Sequence, residues 1–493
     1  MVQRSCPGLA QLVPWQVRRA GLLLLQQRKQ AFLVGGALRD IMLGRRPQDW
    51  DIATSSLPET TMAVFRQAGY QVHPTGLRFG TITVVIGSLP IEITTLRTED
   101  GYSDARHPDR VNFVPDVALD LARRDFTINA IALDLRTGQL VDPVAGVRDL
   151  RQGRIRAVGR AGERFAEDPL RMLRAARLVG QLAFTVEAET ERQMASCGHL
   201  LSLVAAERIW NEIEKLLGGR EAMAGLRVLV DTGLLFVIFP ELWAGFGFPQ
   251  TGSPHIYTVL EHQLETVRYV PADPELRLAA LLHDVAKPIC YSRGEDGRAH
   301  FYGHDREGAK MAVRISRRLR APRTTAERVA ALVSWHMFPL GLGPRGLRRL
   351  MSRVGTENIL DLLALKQADL VATGPGVLAA RLEQLRCLQE QVAGIMGAGQ
   401  AITLKDLAVG GREVMAVLGW PPGPPVGKIL YLLLEEVWED PEKNTREYLL
   451  ERIADLGAQA GGEAGGENRR QGHHGPRERV SPDLNRMKTR VRG

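Results

Sequence analysis

Residues Phe32 to Thr54 read FLVGGALRDIMLGRRPQDWDIAT, and this stretch decides how the front of the chain folds. An apolar run, Phe32-Leu33-Val34, feeds a Gly35-Gly36 turn, and a short helical segment carrying Arg39 and Asp40 follows until Gly44 and Pro47 stop it. Asp49-Trp50-Asp51 then leads into a second apolar piece at Ile52. On a strand, side chains two apart share a face, so Asp49 and Asp51 are expected to point one way with Trp50 packed behind them. Two such carboxylates repel each other and lose hydration unless a cation sits between them. Mg2+ answers that need, because a hard divalent ion takes oxygen ligands and keeps positions open for phosphate. The glycine turn lets backbone approach a triphosphate, N–H groups at a helix start attract anions, and Arg39 adds charge. Either half alone fits an ordinary turn or a solvated strand end. Joined in one strand–turn–helix–strand unit, they read as a metal-dependent nucleotidyl-transfer site.

Further along, Thr81–Ile86 is a β-branched strand, and Ile91–Leu96 is its expected hairpin partner across Gly87-Ser88-Leu89-Pro90. Glu92 lies on that partner strand, which makes it either a third carboxylate or an exposed strand residue. Thr98 to Asn112 is polar and irregular and is expected to be a mobile loop. Arg123–Ala130 (RRDFTINA) is expected to open a helix that sets Asp125 and Asn129 on one face, within reach of a ribose, while Arg124 reaches phosphate or base. In Arg164–Arg177 (RFAEDPLRMLRAAR), Pro169 fits a first helical position and Asp168 its N-cap, with Arg171 close by. A capping pair is one reading. The other rests on base chemistry: cytosine and adenine both offer an exocyclic amine beside a ring-nitrogen acceptor, so a carboxylate and a guanidinium could hold either and refuse guanine and uracil.

Gly-Gly-x-Leu-Arg-Asp, Asp-Trp-Asp, Arg-Arg-Asp-x-x-x-Asn-Ala and Glu-Asp-x-x-Arg together resemble the class II tRNA nucleotidyltransferases (CCA-adding enzymes) and their relatives, the bacterial poly(A) polymerases. Leu38 stands where the family usually has Val. The resemblance implies an α+β fold: a nucleotidyltransferase head with a small mixed β-sheet and helices, then all-α neck, body and C-terminal regions. It also implies that Asp49 and Asp51 hold Mg2+, that Gly35, Gly36 and Arg39 bind the triphosphate, and that Arg124, Asp125 and Asn129 select a ribonucleotide. Asp168 and Arg171 become the base readers, with Arg174 and Arg177 lining the same pocket. The expected partners are tRNA, CTP and ATP. Gly76–Thr83 (GLRFGTIT) lacks the basic signature of the poly(A) polymerases, and the undeleted loop after Leu96 argues against an enzyme that adds only CC.

Six of the eleven histidines fall between residues 255 and 336. His283-Asp284 sits in an apolar segment expected to be helical, with His262 before it and His304, His336 and Asp369 after. A buried Asp needs a partner or a metal, and mixed His and carboxylate ligands suit a divalent transition metal. This order resembles the HD phosphohydrolase superfamily, which some bacterial CCA-adding enzymes carry fused behind the head; whether it hydrolyses anything is open.

The expected divisions are a head over 1–150, a helical neck and body over 151–250, an HD region over 251–397, a tRNA-contacting helical module over 398–456, and a disordered basic tail over 457–493. With 44% apolar residues the chain can bury several cores, and its net charge of +8 suits a polyanionic partner. Cys6, Cys197, Cys290 and Cys387 are too scattered for a zinc ribbon or disulfide framework, which fits a reducing cytoplasm. The Leu22–Leu25 run is too short to span a membrane and is expected to pack on the head. No obligate protein partner is evident. The rival readings are poly(A) addition, partial CC or A addition, an HD phosphohydrolase whose head only holds RNA, and a noncatalytic RNA-binding protein.

Overall fold

A computed structural model of the chain describes residues 4–5, 7–102, 108–250, 256–295, 298–374 and 378–467. They fall into two compact units: residues up to Leu340 with Glu357–Cys387, and Gly341–Thr356 with the residues from Leu388 on.

The first unit opens with strands β1 (Arg4–Ser5), β2 (Ala31–Val34), β3 (Asp51–Thr54), β4 (Gln71–Gly76), β5 (Thr81–Ile86), β6 (Leu89–Thr95), β7 (Arg97–Asp100), β8 (Arg110–Phe113), β9 (Ala132–Asp134) and β10 (Gln139–Val141). Among the described residues, eight form one mixed sheet in the order β1-β10-β9-β2-β3-β6-β5-β4, while β7 and β8 pair with each other. Strand β2 is buried throughout because both of its faces are covered. Leu33, Ile52 and Ile82 face a core shared with helices α1 (Trp15–Gln26) and α2 (Gly35–Met42), where Leu23 and Leu24 lie, so the N-terminal apolar run does pack on the head. Phe32, Val34 and Ala53 alternate to the opposite face, against Val117, Leu121 and Val158.

Strand register positions the chemistry. β3 runs antiparallel to β2 with Val34 opposite Asp51, and parallel to β6 with Asp51 opposite Glu92. The residue after Val34 therefore turns into α2 right beside Asp51. Gly35 makes that turn at φ +75°, and a Cβ there would lie 3.0 Å from Asp51 Oδ2 and 3.4 Å from an Arg124 Nη1. Both the left-handed backbone and the close approach require glycine.

Several expectations give way. Asp49 lies in a bend ahead of β3, not on the strand, although Trp50 is buried behind the carboxylates as the alternation requires. The ends of the Thr98–Asn112 stretch are not a loop but a ladder, with Thr98 opposite Asn112 and Asp100 opposite Arg110; the segment 103–107 lies outside the described residues. Arg123–Ala130 does not open an α-helix. Phe126 bridges Ala157 and the Thr127 amide donates to Arg156 O at 2.9 Å, so only a single 3-10 turn forms, Thr127–Asn129. His283-Asp284 follows the last residue of helix Pro274–Leu282 rather than lying within it, and the His283 ring turns back so that Nδ1 donates to Ala280 O at 2.8 Å. At the other end, helix Arg446–Glu467 runs past the expected start of the tail at 457, and 468–493 lie outside the described residues.

Helix Gly146–Arg151 packs tightly on the 127–129 turn: a Cβ on Gly146 would stand 2.0 Å from Thr127 O. Gly146→Ala is expected to displace that turn and with it Asn129, lowering stability by about 1–3 kcal/mol and weakening nucleotide binding. A thermal melt and a nucleotide titration check this; an unchanged affinity would mean the turn does not position Asn129.

Behind the head come α3 (Leu170–Leu182) and α4 (Ala206–Leu217), then α5 (Val259–Tyr269), α6 (Pro274–Leu282), α7 (His304–Arg318), α8 (Arg323–Trp335) and α9 (Ile359–Thr373). Two short ladders interrupt the expected all-helical run, Arg154–Ile155 with Thr185–Val186 and Ser292–Arg293 with Ala299–His300. The second unit has its own core around Leu433, Trp438, Leu449 and Ile453. No helix among the described residues is long and apolar enough to cross a membrane.

Candidate active site and candidate metal centre

Asp51 is the hub of the head site. Burial pushes its carboxyl up to about 6; Arg124 opposes that shift, and Glu92 and Asp49 add to it. Asp49 is thus close enough to be felt even from its bend. The three acidic side chains offer only oxygen donors, and a hard cation would offset the lost hydration and the crowding of like charges at Asp51. The residues fit Mg2+.

A cavity of about 470 Å³ is lined by Asp51, Glu92, Arg124, Asp125, Asp168, Arg171 and Arg174. A second, of about 690 Å³, is lined by Gly36, Arg39, Asp49, Asn129 and Arg177 and shares Asp51 and Arg174 with the first. Every head residue singled out from the sequence except Gly35 lines one or both, and Gly35 lies against Asp51 beneath them.

One polar network ties these groups together. Arg39 donates to Asn129 Oδ1 at 2.9 Å and Asn129 donates to Asp125 Oδ1 at 3.2 Å. Asp125 lies 3.6 Å from Arg174. Although burial would raise it, Arg174 and Arg171 hold the Asp125 carboxyl below the usual carboxylate range. Asp168 and Arg171 do not pair with each other. Arg171 donates to Glu167 Oε2 at 2.6 Å, while Asp168 Oδ1 accepts from the Leu170 amide at 3.2 Å and Oδ2 from Arg208 at 2.9 Å; the helix starts at Leu170, so Pro169 rather than Asp168 holds the N-cap position.

The second constellation joins α5, the end of α6, α7, the end of α8 and α9. His283, His304 and His336 each direct Nδ1 at a backbone carbonyl, those of Ala280, Phe301 and Val333, at 2.7–2.8 Å. An Nδ1–H donated to a carbonyl leaves the Nε2 lone pair free to bind a metal. These Nε2 atoms converge on Asp284: His283 at 3.2 Å from Oδ2, His304 at 3.3 Å and His336 at 3.6 Å from Oδ1. His262 Nε2 lies 3.2 Å from His283 Nε2 and 3.1 Å from Asp369 Oδ1. Burial lowers His336 to about 4, and it opposes the pull of His283 and Lys287, which hold Asp284 well below the usual carboxylate range. Lys287 Nζ approaches Asp284 Oδ2 to 2.6 Å, yet neither carboxylate oxygen meets hydrogen-bond geometry with any partner among the described residues. Nitrogen lone pairs facing one another around a buried carboxylate fit a metal centre, and the two groups His262, His283, Asp284 and Asp284, His304, His336 have ligand spacing.

Comparison with known proteins agrees with this geometry. Residues 31–156 match the poly A polymerase head domain, 183–246 the probable RNA and SrmB-binding site of polymerase A, and 255–374 the HD domain. The A-adding tRNA nucleotidyltransferase of Deinococcus radiodurans is 38% identical over 82% of this chain and 91% of its own length. The chain belongs to the tRNA nucleotidyltransferase family. A second tRNA nucleotidyltransferase, the CCA-adding enzyme of Lactococcus lactis, is 31% identical over 87% of the chain and 94% of its own length. The solved structure of the Bacillus stearothermophilus CCA-adding enzyme in complex with CTP superposes with a TM-score of 0.67 at 28% identity, covering 91% of this chain and 98% of that one. In this nucleotidyltransferase, sequence reasoning missed Asp120, Glu167, Arg208 and Glu212, which hold Arg123 and Arg124, Arg171, Asp168, and Arg177 respectively. Glu212 carried a signal: it is an acid on the buried face of α4 beside Trp210, Ile213 and Leu216.

Proposed function

We propose that this chain completes tRNA 3′ ends, adding C, C and A from CTP and ATP without a nucleic-acid template. One arrangement carries the reading: Asp51 and Glu92, abutted by the Gly35 turn, open into the same cavity as Asp168 and Arg171. In this reading Gly36, Arg39, Arg174 and Arg177 hold the triphosphate, and Asp125 and Asn129 the ribose. Arg124 neutralises charge beside Asp51. Asp168 accepts from the exocyclic amine of C or A while Arg171 donates to the adjacent ring nitrogen; G and U would set a carbonyl oxygen against the carboxylate. The tRNA 3′-oxygen forms a bond to the α-phosphorus as the bond to the bridging oxygen breaks, and pyrophosphate leaves. Mg2+ held by Asp49 and Asp51, with Glu92 beside them, would activate the 3′-hydroxyl and stabilise charge on both oxygens. The arginines contribute by holding the phosphates in line.

A second reading, addition of A alone, is favoured by the Deinococcus relative, which is named an A-adding enzyme and matches over most of its length. Purified protein given tRNA ending before, within and after CCA decides. Full CCA addition predicts CTP incorporation into tRNA lacking all three nucleotides, then one A and a halt. Incorporation of ATP only, and only after CC, would replace it with the A-adding reading; a long A tract would replace both with poly(A) addition.

The same proposal assigns 1–150 to the head, 151–250 to base reading and RNA, 251–397 to the HD region and 398–456 to tRNA contact, in a cytoplasmic enzyme. For the HD centre it assigns His262, His283, Asp284, His304, His336 and Asp369 to a divalent transition metal, whose mixed nitrogen and oxygen donor set suits such an ion, and to phosphoester hydrolysis.

A further inference from the structure

We propose that helix α4 tunes nucleotide selection through Arg208 and Glu212, the first orienting the base-reading carboxylate and the second spacing the phosphate-binding arginines; this rests on the reading of Asp168 as a base reader. The two residues are one helical turn apart and face α3 from the same side. Arg208 Nη2 donates to Asp168 Oδ2 at 2.9 Å, and the Leu170 amide donates to Oδ1 at 3.2 Å. With both oxygens restrained, the carboxylate plane is fixed, while each oxygen keeps a lone pair for a ligand. Arg171 contributes nothing to that restraint, because its guanidinium is engaged by Glu167 Oε2 at 2.6 Å and Arg164 O at 3.1 Å. The orientation of the carboxylate relative to Arg171 therefore depends on Arg208. Without it, Asp168 keeps only the backbone bond at Oδ1 and can rotate, and the match to an amine beside a ring nitrogen is lost.

Glu212 acts on a different part of the nucleotide. Its Oε2 accepts from Arg177 Nε at 2.6 Å and its Oε1 lies 3.6 Å from Arg174 Nε. Arg177, which takes the shorter bond, lines the cavity that holds Gly36, Arg39 and Asp49, whereas Arg174 borders both that cavity and the one holding Asp168 and Arg171. Phosphates are common to all four nucleotides, so loosening these arginines weakens binding without favouring one base. Adjacent turns of α4 thus act as positioning elements with separable readouts.

The test is steady-state kinetics of single-nucleotide addition to tRNA with CTP, UTP, ATP and GTP, for wild type, Arg208→Met, Arg208→Lys and Glu212→Gln. Arg208→Met should lower the CTP-to-UTP ratio of kcat/KM by about tenfold or more, and Arg208→Lys, which keeps one charged donor, should recover part of it. Glu212→Gln should raise KM for CTP and UTP alike by about threefold to tenfold and leave their ratio unchanged. A wild-type ratio in Arg208→Met, or lysine no better than methionine, overturns the proposal. If Arg208→Met does not fold, Arg208→Lys decides: a reduced ratio with an unshifted melt supports the proposal, and a wild-type ratio overturns it. Wild-type protein that adds no nucleotide to any tRNA sinks the functional reading itself, a result distinct from active wild type with an unmoved ratio.

Discussion

Asp51→Asn is expected to abolish nucleotide addition while making the metal-free protein more stable at neutral pH. The two effects have one cause. Asp51 is half-buried beside Glu92 and Asp49; lost hydration first, and then the two acids, raise its carboxyl to about 6 against Arg124. A carboxyl raised on folding contributes full stability below its unfolded value of 3.8 and loses that contribution as pH rises through about 6. At pH 7.5 without metal, the ionised group therefore costs on the order of 1–3 kcal/mol, and the neutral, isosteric amide removes that cost. At pH 4 the variant and wild type should melt together. Activity should fall by more than about a thousandfold, because the amide cannot hold the cation that the reaction needs. Melts in EDTA at both pH values and an incorporation assay check this. A variant that is inactive but destabilised at pH 7.5 would show that Asp51 is paired rather than strained, and an active one would remove it from the chemistry.

The second large effect belongs to the HD centre. A metal present at about 100 times its Kd stabilises a folded site by about 2.7 kcal/mol, which for a domain of this size corresponds to a Tm rise of roughly 5–10 °C. Chelation should lower the Tm by that amount, and one of Mn2+, Fe2+, Co2+, Ni2+ or Zn2+ should restore it. In Asp284→Ala, which removes the carboxylate on which His283, His304 and His336 converge, the metal response should vanish. In Asp51→Asn it should persist, which separates this centre from the head. A chelator-insensitive wild type, or an Asp284→Ala protein that still responds, would leave the cluster as a hydrogen-bonded core.

How legible each site was differs for physical reasons. The head was read from local features: a glycine turn between apolar runs, an Asp-x-Asp and a short helix carrying Arg39 all act within a few residues. Even so, Asp49 lies off the strand, and Asp125 with Asn129 meet across a 3-10 turn rather than on a helix face. The six residues of the HD cluster were singled out by their types, since buried charge requires a partner. What was not legible was that each histidine's Nδ1 would be anchored to a carbonyl three residues before it in His283, His304 and His336. The ends of the stretch from Thr98 to Asn112 looked like a loop because polar residues hide a ladder, beside which Arg97, Glu99 and Arg123 meet at 2.7–2.8 Å.

Taken alone, the sequence determined which residues to examine as two candidate sites, because the cost of crowding carboxylates or burying imidazoles without a cation depends on their type and local spacing. Only the tertiary structure decided who holds whom. Glu92 faces Asp51 through strand register, and Arg208 reaches Asp168 across 40 positions of chain. Contacts between residues so far apart depend on how helices and strands dock, and no periodicity along the chain records that.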